Sequence, residues 1–169
     1  MALMRKWLWT VMLLLPMAVW AQLGTSWSVF PATLKLTNAT TVDAATPVAL
    51  HAARGEYAPF QALGVMPGEV PTLDYDPAVF EAALYEQAFF PILEIPYPPI
   101  FTTAWLDATA IADGLRPLET VFTLANEGGR TAVWVDLYVR EDAPAGDYTV
   151  TLNWDGASQD VPVTGYDVT

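Results

Sequence analysis

The acidic residues of this sequence include three close pairs that could do acid–base chemistry: Asp74 with Asp76, Glu141 with Asp142, and Asp155 with Asp160. Cleaving a glycosidic bond needs two carboxyls facing each other across the sugar, one as acid and one as base or nucleophile. Each pair here lies in a stretch that reads as a turn or sits beside Pro or Gly, where acidic side chains cap and solvate the backbone. Neighbours within one turn do not reach opposite sides of a sugar ring, so no catalytic pair is expected. His51 is the only histidine and there is no cysteine. Neither a zinc site nor a nucleophile–histidine triad can be assembled around it. The acidic turns at Asp74-Tyr75-Asp76 and from Glu141 to Asp147 carry the hard oxygens that Ca²⁺ prefers, yet neither matches a complete EF-type loop. No metal or other cofactor is expected.

Binding chemistry is better supplied than catalytic chemistry. Sugar rings stack their C–H faces on exposed aromatic side chains, whose π-faces are electron-rich. Tyr97, Phe101 and Trp105 cluster in one Pro-rich stretch, and Trp134 and Tyr138 share one face of a strand. The competing role for all five is packing against a second sheet or a partner domain. Arg54-Gly55-Glu56-Tyr57 sets charges around a glycine and reads first as structure: Gly55 permits an unusual backbone angle, and Arg54 can pair with Glu56 or a strand-end carboxylate. Asn38-Ala39-Thr40 is a glycosylation sequon that matters only in a eukaryotic secretory host.

The elements that must carry these residues read as β-structure. Pro and Gly punctuate the chain at short intervals, with apolar or alternating runs between them, as in an all-β sandwich or barrel. Over 131–140, Val133, Val135, Leu137 and Val139 alternate with Trp134, Asp136, Tyr138 and Arg140, the period-two pattern of a half-buried strand. Residues 147–154 repeat the pattern after a connection containing Pro144 and Gly146. Asp155-Gly156 opens a turn into a last strand over 160–168, and the three strands are expected to form an antiparallel meander. Further strands are expected over 29–36, 47–52, 58–65 and 89–95. Asp76-Pro77 could cap a short helix to about Gln87, since Phe80 and Leu84 are spaced for one helical face. Residues 96–117 read as a long connection.

The 169 residues, 53% of them hydrophobic, suffice for one domain with a real core. The first 21 read as a secretory signal peptide. Arg5 and Lys6 precede an uncharged apolar run from Trp7 to Val19, and Val19-Trp20-Ala21 offers small residues for cleavage. That run is shorter than the roughly 20 residues of a bilayer-spanning helix. Two of the seven basic residues lie in the signal, leaving five against nineteen acidic ones, a formal charge of −14 over residues 22–169. So acidic a surface repels phosphate backbones and anionic lipid, which argues against nucleic-acid or membrane partners. Secretion or a periplasmic location is expected, with stability drawn from the core alone, since no disulfide can form.

Three strings in order resemble one known module. Ala52-Ala53-Arg54-Gly55-Glu56-Tyr57-Ala58-Pro59-Phe60-Gln61 is similar to its opening string; Ala112-Asp113-Gly114-Leu115-Arg116-Pro117-Leu118 is similar to a loop within it; and residues 132–149, AVWVDLYVREDAPAGDYT, resemble its closing hairpin. The module is the N-terminal β-sandwich of proteins like glycoside hydrolase family 123, often paired with the domain of unknown function numbered 4091. The resemblance spans roughly 29–168 and implies an immunoglobulin-like antiparallel β-sandwich over residues 22–169. In that family a large (β/α) barrel that follows the sandwich hydrolyses N-acetylhexosaminides with the help of the substrate's own acetamido group. The chain reaches Thr169 with no such barrel, so no catalytic residue carries over.

The expectation is therefore a non-catalytic accessory sandwich of an exported glycoside hydrolase-like protein, partnered by a catalytic barrel or a separate glycosidase chain. One alternative is a freestanding carbohydrate-binding module that uses Tyr97, Trp105, Trp134 or Tyr138 as stacking platforms. Another is a cell-surface or periplasmic interaction domain that offers a strand edge to a neighbour.

Overall fold

A computed structural model describes residues 27–42, 47–65, 67–91, 109–118 and 129–167. Among the described residues nine strands run in order: β1 (Trp27–Pro31), β2 (Leu50–Ala53), β3 (Phe60–Val65), β4 (Thr72–Asp74), β5 (Phe80–Pro91), β6 (Ala110–Pro117), β7 (Arg130–Val139), β8 (Gly146–Trp154) and β9 (Ala157–Tyr166). They form two sheets, β1-β3-β7-β5-β6 and β2-β9-β8-β4, which face each other as a sandwich. The all-β reading holds, with one departure from antiparallel pairing: β2 runs parallel to β9, Leu50 opposite Val163 and Ala53 opposite Tyr166.

Alternation builds the core as the sequence suggests. Val133, Val135, Leu137 and Val139 of β7 point inward and meet Val150, Leu152 and Trp154 of β8 and Val161 and Val163 of β9, all buried. Trp27 and Trp154 clamp the sheets at one end, ring centroids 6.0 Å apart. Both indole N–H groups are spoken for: Trp27 Nε1 donates to the Trp154 carbonyl and Trp154 Nε1 to the Glu69 carbonyl, each at 2.7 Å. A buried indole left unpaired would forfeit much of what its burial gains.

A second apolar cluster lies on the outer face of the five-stranded sheet. Phe30, Leu63, Ala112 and Ala132 are covered there by Leu36 and Val42 from the chain after β1. Beside it the buried Gln61 side chain donates to the carbonyls of Pro31 and Leu34 and accepts from Gln87 Nε2 at 3.0 Å. One half of this outer face is thus capped by the chain itself. The same segment blocks part of the β6 edge, where Asn38 N donates to the Ala110 carbonyl and Ala112 N to the Leu36 carbonyl. Covered edges resist pairing with other chains.

Five expectations change. The short helix after Asp76 is absent: Asp76 caps one turn, its side chain accepting from Ala78 N at 2.9 Å, and β5 then begins at Phe80. Phe80 and Leu84 are four apart, an even interval that serves a strand face as well as a helical one. The meander fails between its first two members, because β7 lies in the five-stranded sheet and β8 in the four-stranded one; only the β8–β9 hairpin remains. The 96–117 connection contains β6 over its last eight residues. Gly114 and Pro117 disguise it, and an edge strand tolerates both. The 29–36 strand ends at Pro31, where the chain turns with Leu34 N on the Pro31 carbonyl. In the 89–95 strand, Phe89 to Pro91 close β5, and 92–95 lie outside the described residues.

Candidate functional site: the Tyr57–Tyr138 cleft

The Arg54-Gly55-Glu56-Tyr57 string folds as a tight turn leading into β3. Gly55 takes φ +74°, a left-handed conformation that side chains disfavour. Its N–H donates to the Val139 carbonyl at 2.8 Å, Val139 N donates to the Glu56 carbonyl at 2.9 Å, and the Glu56 carboxylate accepts from Ala53 N at 2.9 Å. Arg54 pairs with Asp167 at 3.0 Å, a carboxylate just past the end of β9. Three residues of the string thus make contacts that hold the turn in place. The fourth is presented: Tyr57 bridges to Tyr138 on β7, their rings 5.0 Å apart and tilted by 49°, and remains 65% exposed.

Tyr138 has Glu81 of β5 as its neighbour on the other side. Just beyond β7, Arg140 places Nη1 2.8 Å from Glu81 Oε1 and Nε 3.3 Å from Asp142 Oδ1. Its backbone is pinned as well, Arg140 N donating to the Val79 carbonyl at 2.9 Å. Glu81, Tyr138, Arg140, Glu141 and Asp142 line an open cleft of about 350 Å³, with Tyr57 beside it. The cleft carries an aromatic wall, one guanidinium and three carboxylates. Glu81 was hidden from the sequence reading by the helix expectation; strand alternation with Tyr138 opposite it would have found it.

Trp134 lies on the same outer face, opposite Gln61 and Tyr85, with Nε1 donating to Asp136 at 2.7 Å. The shared face of Trp134 and Tyr138 is as expected, whereas Tyr97, Phe101 and Trp105 lie outside the described residues. Of the other paired acidic residues, Asp76 accepts from Ala78 N at 2.9 Å, Asp155 from Gly68 N at 3.2 Å and Asp160 from Thr151 at 2.8 Å, while Asp74 is exposed. His51 is exposed and sits against Tyr166, Nδ1 3.1 Å from the phenol oxygen. Among the described residues no three His, Cys, Asp or Glu side chains gather so as to hold a metal ion. An apolar cleft of about 370 Å³, lined by Val70, Leu73, Tyr75, Ala82, Leu84 and Leu118, opens where β4 faces β5.

No family model and no curated protein matches the chain. Among solved structures it is similar to a family 123 glycoside hydrolase from Clostridium perfringens, studied for glycolipid glycan hydrolysis. That likeness has a TM-score of 0.45 and 8% identity, and covers 85% of this chain and 27% of that one. It is also similar to the S-layer protein rSbsC(31-844), TM-score 0.36 and 12% identity over 80% of this chain and 14% of that one. Domains 4 and 5 of the S-layer protein SbsC match at TM-score 0.33 and 12% identity, over 78% of this chain and 50% of that one. The chain spans about a quarter of the hydrolase and half or less of the S-layer chains.

Proposed function

We propose that this chain is an accessory, non-catalytic β-sandwich module of an exported glycoside hydrolase-like protein, which supports a catalytic barrel rather than performing hydrolysis. The observation that carries the reading is how two of the resembling strings meet. Residues 52–61 and 132–149, separated by more than seventy positions, lock together backbone to backbone: Gly55 to Val139, Val139 to Glu56, and Ala58 N to the Leu137 carbonyl at 2.8 Å. The words that resemble the family module are thus one structural joint, whose spacing in sequence has a physical cause. The acidic residues that sequence pairs suggested add support: Asp76 and Asp155 accept from backbone N–H groups, Asp160 bridges to Thr151, Asp142 is fixed to Arg140, and Glu141 stands open to solvent.

The test is enzymatic. Purified residues 22–169 incubated with aryl N-acetylhexosaminides are expected to release no more phenol than buffer does. Turnover that disappears in Asp142→Asn or Glu81→Gln would overturn the reading.

A further inference from the structure

We infer that the cleft lined by Glu81, Tyr138, Arg140, Glu141 and Asp142, together with the exposed Tyr57 ring beside it, binds the end of a neutral saccharide chain. The inference stands apart from the accessory role, because it needs only the geometry of the cleft. A sugar offers one C–H face and a rim of hydroxyls. Recognising it takes an exposed ring beside planar donors and acceptors held in fixed positions. Tyr57 supplies the ring, and the hydrogen-bonded Gly55 turn holds it against Tyr138 before any ligand arrives. Preorganisation of this kind lowers the entropy that binding must overcome.

The floor supplies the polar groups. Arg140 is gripped from two sides by Glu81 and Asp142, so its guanidinium plane is set and each carboxylate keeps lone pairs for hydroxyl donors. Glu141 adds an exposed acceptor and has no ion-pair partner among the described residues. A Cβ at Gly55 would lie 3.7 Å from Glu141 Cγ and 3.9 Å from the Tyr138 oxygen, which places the turn at the rim of the cleft. Three carboxylates against one guanidinium make the site net negative, so sialylated, sulfated or phosphorylated sugars are repelled. The volume of about 350 Å³ lies at the lower end of small-molecule sites, roughly 300–1,000 Å³, and suits a chain end.

The experiment is a titration of ¹⁵N-labelled residues 22–169 with neutral galactose and N-acetylglucosamine oligosaccharides, followed by amide shifts. The expected result is saturable shifts confined to 55–57, 81 and 138–142. Tyr57→Ala should weaken binding about tenfold and Glu141→Gln about threefold, with melting curves showing both variants folded. Absence of shifts with every neutral oligosaccharide overturns the inference, as do shifts confined to the surroundings of Trp134. A lysine-rich peptide that binds the same residues more tightly, and loses affinity in Glu141→Gln and in salt, overturns it in favour of a cationic partner. No arm involves hydrolysis, so failure here leaves the accessory reading to its own assay.

Discussion

Gly55 and Glu86 show how much single residues decide. At φ +74° a side chain on Gly55 is strained whatever space surrounds it, and left-handed backbone costs an L-residue roughly 1–2 kcal/mol. Gly55→Ala is therefore expected to lower unfolding free energy by about 1 kcal/mol, measured by urea denaturation, and to loosen Tyr57 from Tyr138. Glu86 points from β5 into the sandwich with its side chain 4% exposed and meets Arg116 of β6 at 2.5 Å. Arg116→Ala removes that ion pair from a buried carboxylate, and a hydrogen bond to a charged group is worth about 1.5–3 kcal/mol. The loss should show in the same denaturation series. Glu86→Gln, which removes the charge along with the pairing, should cost less than Arg116→Ala. Arg116 belongs to one of the resembling strings, so that string too has an architectural cause.

Among the elements, the β8–β9 hairpin and the Trp27–Trp154 clamp matter most. Asp155 and Gly156 take φ 51° and 75°, the paired positive angles of the tight turn that suits the twist of antiparallel strands. The turn of that hairpin was legible from Asp-Gly between alternating runs, although the strand after it begins at Ala157, three residues before the expected 160. Trp154→Ala should cost about 3–5 kcal/mol, a loss visible as a melting temperature lowered by ten degrees or more. What the sequence concealed has physical reasons. Strand alternation says which face a residue takes, not which sheet the strand joins, so β7 and β8 read as neighbours although Pro144 and its surroundings carry the chain from one sheet to the other. Glu81 reaches the Tyr138 cleft through strand register and Tyr57 reaches Tyr138 through an isolated bridge, pairings that a single sequence does not display. Tyr138 itself was legible because β7 alternates over its whole length.

For the molecule as a whole, charge and topology set behaviour. A formal charge of −12 on the full chain, still more negative without its first 21 residues, opposes compaction through self-repulsion. Raising ionic strength from about 0.01 to 0.15 M shortens the screening length from roughly 30 to 8 Å. The melting temperature of residues 22–169 should rise by a few degrees over that range, by scanning calorimetry; a flat response would mean the acidic groups are already locally compensated.

The pairing of β9 has one more consequence. It lies between β2 and β8, so a strand from the first third of the chain finds its place only after residues 157–166 are present. During synthesis β2 therefore waits for its partner until β9 has left the ribosome, while the five-stranded sheet has all its strands by Val139.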